Sequence, residues 1–505
     1  PPAAARVLGL AQDMSVIFAH RCAPRSWGRA LPSISHSWKG FHAAGAEFSW
    51  DALNAEAGES YVGRVGAFKR FTEAAVRPGL PTLYFLHVML PHPPWVTLPS
   101  GALIFNPNEP IVLGDGGRED RWEKDPDVVS AAWQRHILQA RATDRLLGEL
   151  TDGLKKSGLW EDTLLVVTAD HGAAFRPGAR RRALTPETAG EVVPVPLFVK
   201  FPGDGPRGPV DRVASLVDVL PTLLEAQGIA VPEGLDGTSL RSPGRPPEVV
   251  DKGGARLPAA AGWAEARRES DRRRKLLGDG RRPDALFRLG PAGPAVGKLA
   301  SRLRRSKNAP CSAKLDQSLY SPTPYSKAYL SGRVECPNGV AGQRAVLAVV
   351  DGTVVSAGVT GPFHGTNDAP LRLMLPEDSL KEGSTPELFL AWGGGADLEV
   401  APLSASGGAW RLEGSSLVCT DGRRASVGKA RAGARSPAAN AKDVVVLKGD
   451  AQDAEEVVVL GASQSVFSGA PERGRFDFAL PRDLAGDGPL RVFGVRGSDA
   501  WELLE

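Results

Sequence analysis

From about Val128 to Lys156 apolar residues recur every three or four positions, and Ile137, Ala140, Leu147, Leu150 and Leu154 form a stripe with Asp144 on the same face. That spacing predicts one long helix, ended by Gly158. Continuous apolar runs lie around it. Pro81 to Leu90 (PTLYFLHVML), Thr163 to Thr168 and Val195 to Phe201 (VPLFVKF) are short and largely bounded by Gly or Pro, and each predicts a buried strand. Asp218 to Glu225 (DVLPTLLE) predicts a second helix that stops before Gly228. Strands alternating with helices over residues 1–245 predict an α/β fold with a mostly parallel sheet covered on both faces. In such sheets chemistry collects past the carboxyl ends of strands. His92 and the adjacent pair Asp170–His171 both fall there.

The texture changes after residue 245. Residues 246–310 mix Pro and Gly with Arg267-Arg268, Arg272 to Lys275, Arg281-Arg282 and Arg304-Arg305. This predicts a solvated linker with a short basic helix, the alternative being a patch for nucleic acid or anionic lipid. Beyond it the pattern is all-β. "AVLAVVDGTVVSAGV" (Ala345 to Val359) predicts a hairpin turning on Asp351-Gly352, and Cys419 to Gly422 predicts another turn. "LRLMLPEDSL…PELFLAWGG" (Leu371 to Gly394) is echoed by "FDFALPRDL…PLRVFGVRG" (Phe476 to Gly497), which predicts two related β-sandwich units at 311–415 and 416–505.

Composition narrows the class. The 505 residues exceed one ordinary domain, and 42% hydrophobic with 24% charged residues is globular. A net charge of +3 makes no overall case for nucleic acid. Four scattered cysteines, with no C-x-x-C pair, argue against a structural zinc site. Cys311, Cys336 and Cys419 can include one disulfide, whose pairing the sequence leaves open. No run approaches the roughly 18 apolar residues that span a bilayer. The chain opens Pro-Pro-Ala-Ala-Ala with neither initiator Met nor signal peptide, so it reads as truncated or processed.

Candidate chemistry centres on "LLVVTADHGAAFRPG", Leu164 to Gly178. At the tip of a strand the carboxylate of Asp170 and a neutral His171 imidazole can reach one cation, while Gly172 lets the backbone pass closely behind. The competing reading is an aspartate capping a helix beside a surface histidine. "LHVMLPHPPW" adds His87 and His92, five residues apart and so on opposite faces of a strand. His92, between prolines, is a candidate for a second metal or a substrate oxyanion; His87 reads more readily as a hydrogen-bonded core residue. Arg176, Arg180, Arg181 and Arg182 follow the Asp-His pair, and Arg176 is the candidate for binding an ester anion.

These pieces together resemble the sulfatases and their relatives in the alkaline-phosphatase superfamily. The resemblance rests on TADHG, on FLHVMLPHPPW, and on VPLFVKFPG followed by DVLPTLL…DGTSL, and covers residues 5–245. The order is similar to that of bacterial membrane-anchored sulfatase-like hydrolases and transferases, whose C-terminal extension the linker and β tail also resemble. The resemblance implies a divalent metal (Zn, Mn or Ca) on Asp170 and His171. Its H-x4-H-x-P element, similar to that of phosphoethanolamine transferases, implies substrate or second-metal contact at His92 and, less directly, His87. It further implies a sulfate or phosphate ester substrate, a cell-envelope glycan or lipid as partner, and a place on the outer face of the cell membrane through a segment outside this chain. The family nucleophile, a Thr, Ser or formylglycine hydroxyl, and its preceding acidic strand find no match before His92. "CAPRS" (Cys22 to Ser26) departs from the C-x-P-S-R order of the formylglycine signature and follows a helix-like run, Leu8 to His20. The expectation is therefore an incomplete metal-dependent hydrolase or transferase of low activity by itself. The alternative is a glycan-binding protein on a degenerate scaffold, with Phe363, Phe389, Trp392 and Trp410 lining its β units.

Overall fold

The structure, a computed structural model, describes residues 64–104, 120–203, 208–210, 214–242 and 283–307, short elements at 248–250, 256–258 and 267–272, and most strands and turns beyond 311. Cys22 and its neighbours, Phe363 and Arg273 to Arg282 lie outside the described residues.

The long helix is present as α1, Pro126–Lys156. Asp125 caps it by accepting from the Asp127 N–H, Pro126 occupies the first turn where its missing N–H costs nothing, and Lys155 and Lys156 face the negative end of the helix dipole. The buried seam is rotated from the expected stripe. It runs through Val129, Leu138, Ala142, Leu146, Leu150 and Leu154, and Asp144 is exposed. Three polar residues, Gln134, Arg135 and Gln139, lie buried on the helix, and Gln139 proves consequential for the site.

The expected mostly parallel sheet is not what the described residues form. Strand β1, Leu165–Thr168, pairs antiparallel with β2, Leu197–Lys200. A second correction concerns residues 81–90, which are extended but carry no strand ladder. Their alternation survives: Leu86, Val88 and Leu90 turn toward Leu146, Leu150 and Leu154 of α1, while Leu83 and Phe85 are 86% and 85% exposed. One face of the run meets the helix and the other is largely exposed.

The DVLPTLL…DGTSL motif is a structural lock. Helix α2, Ala189–Val192, precedes β2, and helix α3, Val219–Ala226, follows Asp218. Asp218 is buried and accepts the N–H of Ser215 and of Thr238, both at 2.9 Å. Thr222 donates to the Asp218 carbonyl at 2.6 Å and accepts the Leu240 N–H at 2.8 Å. A Cβ at Gly237 would fall 1.9 Å from the Val217 carbonyl oxygen, so only glycine lets the strap close.

The basic segment is only partly a linker. A small antiparallel hairpin joins β3 (Glu248–Val250) to β4 (Arg256–Pro258). From Pro283 the chain packs as single-turn helices, burying Ala292, Ala295, Val296 and Ala300 against the β region, and ends in β5, Arg304–Arg305. These residues are core because small side chains at close spacing fit the outer face of a sheet.

That sheet has eight strands. In chain order they are β5, β6 (Cys311–Leu315), β7 (Tyr329–Glu335), β8 (Ala345–Val350), β9 (Thr353–Val359), β10 (Asp368–Met374), β11 (Glu387–Trp392) and β12 (Glu399–Ser406). The spatial order is β10-β7-β6-β12-β11-β8-β9, with β5 beside β12. Its two ends meet: Ser356 donates to the Met374 carbonyl at 2.6 Å and Gly361 N–H to the Pro370 carbonyl at 2.8 Å. The sheet therefore curls on itself as a barrel-like unit, where two packed layers were expected. All of β8 is buried, since Val346 and Ala348 face the interior with Leu371, Leu373 and Leu390, while Leu347 and Val349 face the covering segment. The predicted turn is there, with Asp351 and Gly352 at φ 48° and 74°. Cys311 and Cys336 form the disulfide, tying β6 to the end of β7, and Cys419 is free and buried.

The echo in the sequence is an echo in topology. The second sheet uses β13 (Trp410–Glu413), β14 (Ser416–Cys419), β15 (Arg424–Val427), β16 (Arg431–Ala432), β19 (Glu456–Leu460), β20 (Ser465–Gly469), β22 (Arg491–Arg496) and β23 (Asp499–Leu504), while β17 (Ala434–Arg435), β18 (Val444–Asp450) and β21 (Arg475–Pro481) form a separate three-stranded sheet. Its run β20-β19-β22-β23 reproduces β9-β8-β11-β12. In both, the last strand receives two parallel neighbours in succession, β5 then β6 on β12, and β15 then β16 on β23. Phe389 and Trp410 are core residues and Trp392 packs against the first barrel's interior, so these three form no glycan-binding stripe.

Candidate functional site

β1 delivers Asp170 and His171 to a loop whose course is set by backbone contacts. Gly172 N–H donates to the Val192 carbonyl at 2.8 Å, and a Cβ on Gly172 would lie 2.1 Å from the Glu191 carbonyl oxygen. The loop passes directly over α2 because it has no side chain there. Asp170 Oδ1 accepts the His171 N–H at 2.9 Å, so this carboxylate oxygen is engaged within its own loop. His171 Nδ1 lies 2.8 Å from the Gly172 carbonyl. A carbonyl only accepts, so Nδ1 carries the proton and Nε2 keeps its lone pair. That Nε2 stands 3.7 Å from Asp170 Oδ2, with the two side chains 38% and 71% exposed.

An imidazole nitrogen and a carboxylate oxygen converging at that separation fit a borderline divalent cation such as Zn or Mn; an all-oxygen cation such as Ca fits less well. Two donors are part of a ligand set. Among the described residues no group of three or more His, Cys, Asp or Glu is arranged to hold a metal.

His92 lies between the cis bonds Leu90-Pro91 and Pro93-Pro94. Its carbonyl accepts from Arg64 Nη1 and from Gln139 Nε2, each at 2.8 Å, and Arg64 Nη2 donates to the Pro93 carbonyl at 3.1 Å. Gln139 is fully buried and its Oε1 accepts the N–H of Val96 and of Thr97 at 3.1 and 3.0 Å. One side chain on α1 thus holds both sides of the proline loop. The His92 ring donates Nδ1–H to the Pro93 carbonyl at 2.7 Å, which leaves Nε2 as an acceptor. Burial holds its pKa below 6.5; the Pro93 hydrogen bond opposes this, and the charges of Arg64, Arg182 and His171 add to the lowering. His92 and His171 therefore share one electrostatic neighbourhood. His87 does not join them by burial: it lies on the exposed face of 81–90 with Leu83, Phe85 and Met89, so the core reading fails for it.

The arginine loop is largely committed to the protein. Arg176 Nε binds Glu191 Oε1, and its Nη2 is 3.7 Å from Glu269 Oε2; both carboxylates are buried. This arrangement makes Arg176 a bridge between two buried acids. Arg181 and Arg182 both bind Asp120, at 2.5 and 3.0 Å, and Arg181 also lies over the Trp122 ring. Trp95, Trp122 and Phe175 pack into one aromatic cluster beneath the loop. Arg64, Gln139, Glu191 and Glu269 were missed in the sequence. Only Gln139 left a signal, as a polar residue on an otherwise apolar helix seam.

Residues 67–229, which carry all of these site residues except Arg64 and Glu269, match the Sulfatase family. This stretch, about a third of the chain, is therefore similar to the sulfatases. An ulvan-active sulfatase of Formosa agariphila is 27% identical over 180 residues, 34% of this chain and 33% of that protein. Arylsulfatase K of Mus musculus is 38% identical over 98 residues, 19% of this chain and 17% of that protein. A sulfatase of Escherichia coli, YdeN, is 25% identical over 139 residues, 26% of this chain and 25% of that protein. The chain thus spans about a third or less of the length of these curated relatives. No helix among the described residues is long and apolar enough to cross a membrane.

Proposed function

We propose that residues 64–242 belong to a metal-dependent site that cleaves sulfate esters, with Asp170 and His171 as cation ligands and His92 as a substrate contact. The observation that carries this reading is the Nε2 of His171 facing Asp170 Oδ2 at 3.7 Å, with its tautomer held by the Gly172 carbonyl. A divalent cation held there supplies a Lewis acid that lowers the pKa of an attacking hydroxyl and offsets charge on the ester oxygens. His92, kept neutral by burial, presents Nε2 to accept a proton or hydrogen bond from a substrate hydroxyl. Sulfate is favoured over phosphate by the names of the relatives, and hydrolysis over transfer for the same reason. An extracytoplasmic place is supported by the Cys311–Cys336 disulfide, because such bonds persist in oxidising compartments.

Calorimetric titration of the metal-stripped chain with Zn2+ and Mn2+ tests the ligand assignment. Binding should weaken at least about tenfold in Asp170→Ala and His171→Ala, the scale seen when a metal ligand's support is lost. Equal affinity in wild type and both variants overturns it. Hydrolysis of p-nitrocatechol sulfate, compared with p-nitrophenyl phosphate, separates the two ester classes.

A further inference from the structure

Residues 267–272 lie beyond the stretch that matches the sulfatases, 67–229, yet one of their side chains returns to it. They are helical, and Glu269 among them is only 6% exposed. A carboxylate buried that deeply needs charged company. Arg272, one turn on, supplies part of it: its Nη2 and Nε donate to the two Glu269 oxygens at 2.6 and 2.8 Å. That two-pronged contact fixes the orientation of the carboxylate. Glu269 Oε2 then faces Arg176 Nη2 at 3.7 Å, in the loop that follows Asp170 and His171.

The contact continues inward. Arg176 Nε donates to Glu191 Oε1, and Glu191 Oε2 accepts the Phe175 N–H at 2.9 Å. The Glu191 backbone carbonyl is the oxygen that a Cβ on Gly172 would strike, and the Val192 carbonyl beside it takes the Gly172 N–H at 2.8 Å. Glu191 therefore touches the loop at two places, Gly172 and Phe175–Arg176. His171 is the residue next to the first of them, and its ring is oriented by the Gly172 carbonyl. The place of that imidazole thus depends on the place of Glu191, whose buried charge the Arg176 guanidinium matches. The Arg176 side chain is 27% exposed, so water competes for its guanidinium. The Glu269 charge near Nη2 opposes that competition and keeps Arg176 turned toward the acids.

We propose that Glu269 is a positioning residue for the metal-binding loop, acting through Arg176 and Glu191 to hold the His171 imidazole toward Asp170. The proposal rests on the reading of Asp170 and His171 as cation ligands. It extends the site beyond the sulfatase-like stretch, because a residue of the segment leading to the β units helps to orient a ligand. Loss of an outer partner of a metal ligand weakens metal binding about 10- to 100-fold. Glu269 acts through two intervening side chains, so its effect belongs at the lower end.

Long-range proton–nitrogen NMR of the metal-free whole chain reads the His171 ring, its signals assigned by their loss in His171→Gln. Glu269→Gln keeps the shape of the side chain and removes its charge. It should shift the His171 ring signals, lower the share of the Nδ1–H tautomer, and weaken Zn2+ binding about tenfold in calorimetric titration. The double change Cys311→Ser and Cys336→Ser, which lowers stability in the first β unit, is the control and should leave those ring signals as in wild type. An unmoved His171 ring in Glu269→Gln, an unchanged Zn2+ affinity beside a wild type that binds, or the same ring shift in the disulfide-free control overturns the proposal. Should Glu269→Gln fail to fold, Glu269→Asp, which keeps the charge but draws it back from Arg176, carries the same test. A wild type that binds no Zn2+ overturns the ligand reading, and the His171 ring signals then decide the positioning contact by themselves.

Discussion

Gln139 Nε2 donates to the His92 carbonyl at 2.8 Å from the fully buried middle of α1, although 47 residues separate the two in sequence. The same amide receives the Val96 and Thr97 N–H groups, so Gln139→Leu removes three hydrogen bonds and strands the Thr97 donor, while Val96 N–H keeps the Pro94 carbonyl at 3.2 Å. Stranding buried donors costs about 1–3 kcal/mol each, and the expected loss is roughly 2–4 kcal/mol. Urea denaturation measures it. A loss below about 0.5 kcal/mol, the scale of an ordinary surface change, means Gln139 does not hold the loop.

His92 sets a pH dependence. Its folded pKa lies below the ordinary 6.5, so between the two values the unfolded chain binds the extra proton. Stability from this group is therefore complete above 6.5 and is lost as pH falls through that value toward the folded pKa. Denaturation midpoints at neutral and mildly acidic pH should differ less in His92→Gln than in wild type. An identical difference in both proteins sinks the assignment.

At Gly172 the expectation is steric. A methyl group placed 2.1 Å from the Glu191 carbonyl oxygen forces loop and α2 apart. Gly172→Ala should destabilise by at least about 1–3 kcal/mol, the cost of overpacking, and should weaken metal binding through displacement of Asp170 and His171. Unchanged melting and unchanged metal affinity contradict the close approach.

Arg176 distinguishes structural from substrate roles. If it bridges Glu191 and Glu269, Arg176→Ala leaves two buried carboxylates without it and should cost about 3 kcal/mol or more. An anion ligand at the surface predicts near-wild-type stability with weakened substrate binding instead. Thermal melting in parallel with ester kinetics decides between them.

Removing the disulfide by the double change Cys311→Ser and Cys336→Ser opens a loop of sequence separation 25. The chain-entropy relation gives a loss of about 3.5 kcal/mol for a loop of that size. The loss should appear in the wild type under reducing conditions and be absent from the double variant's response to reductant. Equal sensitivity of both proteins to reductant contradicts the pairing.

Several elements could be read directly because their signals are local. The period of α1, its Pro126 start, the Asp351-Gly352 turn and the TADHG loop each follow from a few neighbouring residues. Their backbone geometry depends on side chains within one turn or one strand. The internal echo was legible in part: β11 and β22 hold matching places in their sheets, while β10 lies in the first sheet and its counterpart at Arg475–Pro481 in a separate three-stranded one.

What the chain alone determined, then, is which segments are helical or extended and which short loop holds paired metal-type donors. Tertiary structure decided the partners. It turned the α1 seam so that Gln139, and not Asp144, faces inward, and made β1 and β2 antiparallel. It also drew 283–305 into the barrel's outer core and committed Arg176 to two acids, 15 and 93 residues away. Periodicity reports that a face is buried; only long-range packing specifies against what, and a charge is free for substrate only where no such partner has taken it.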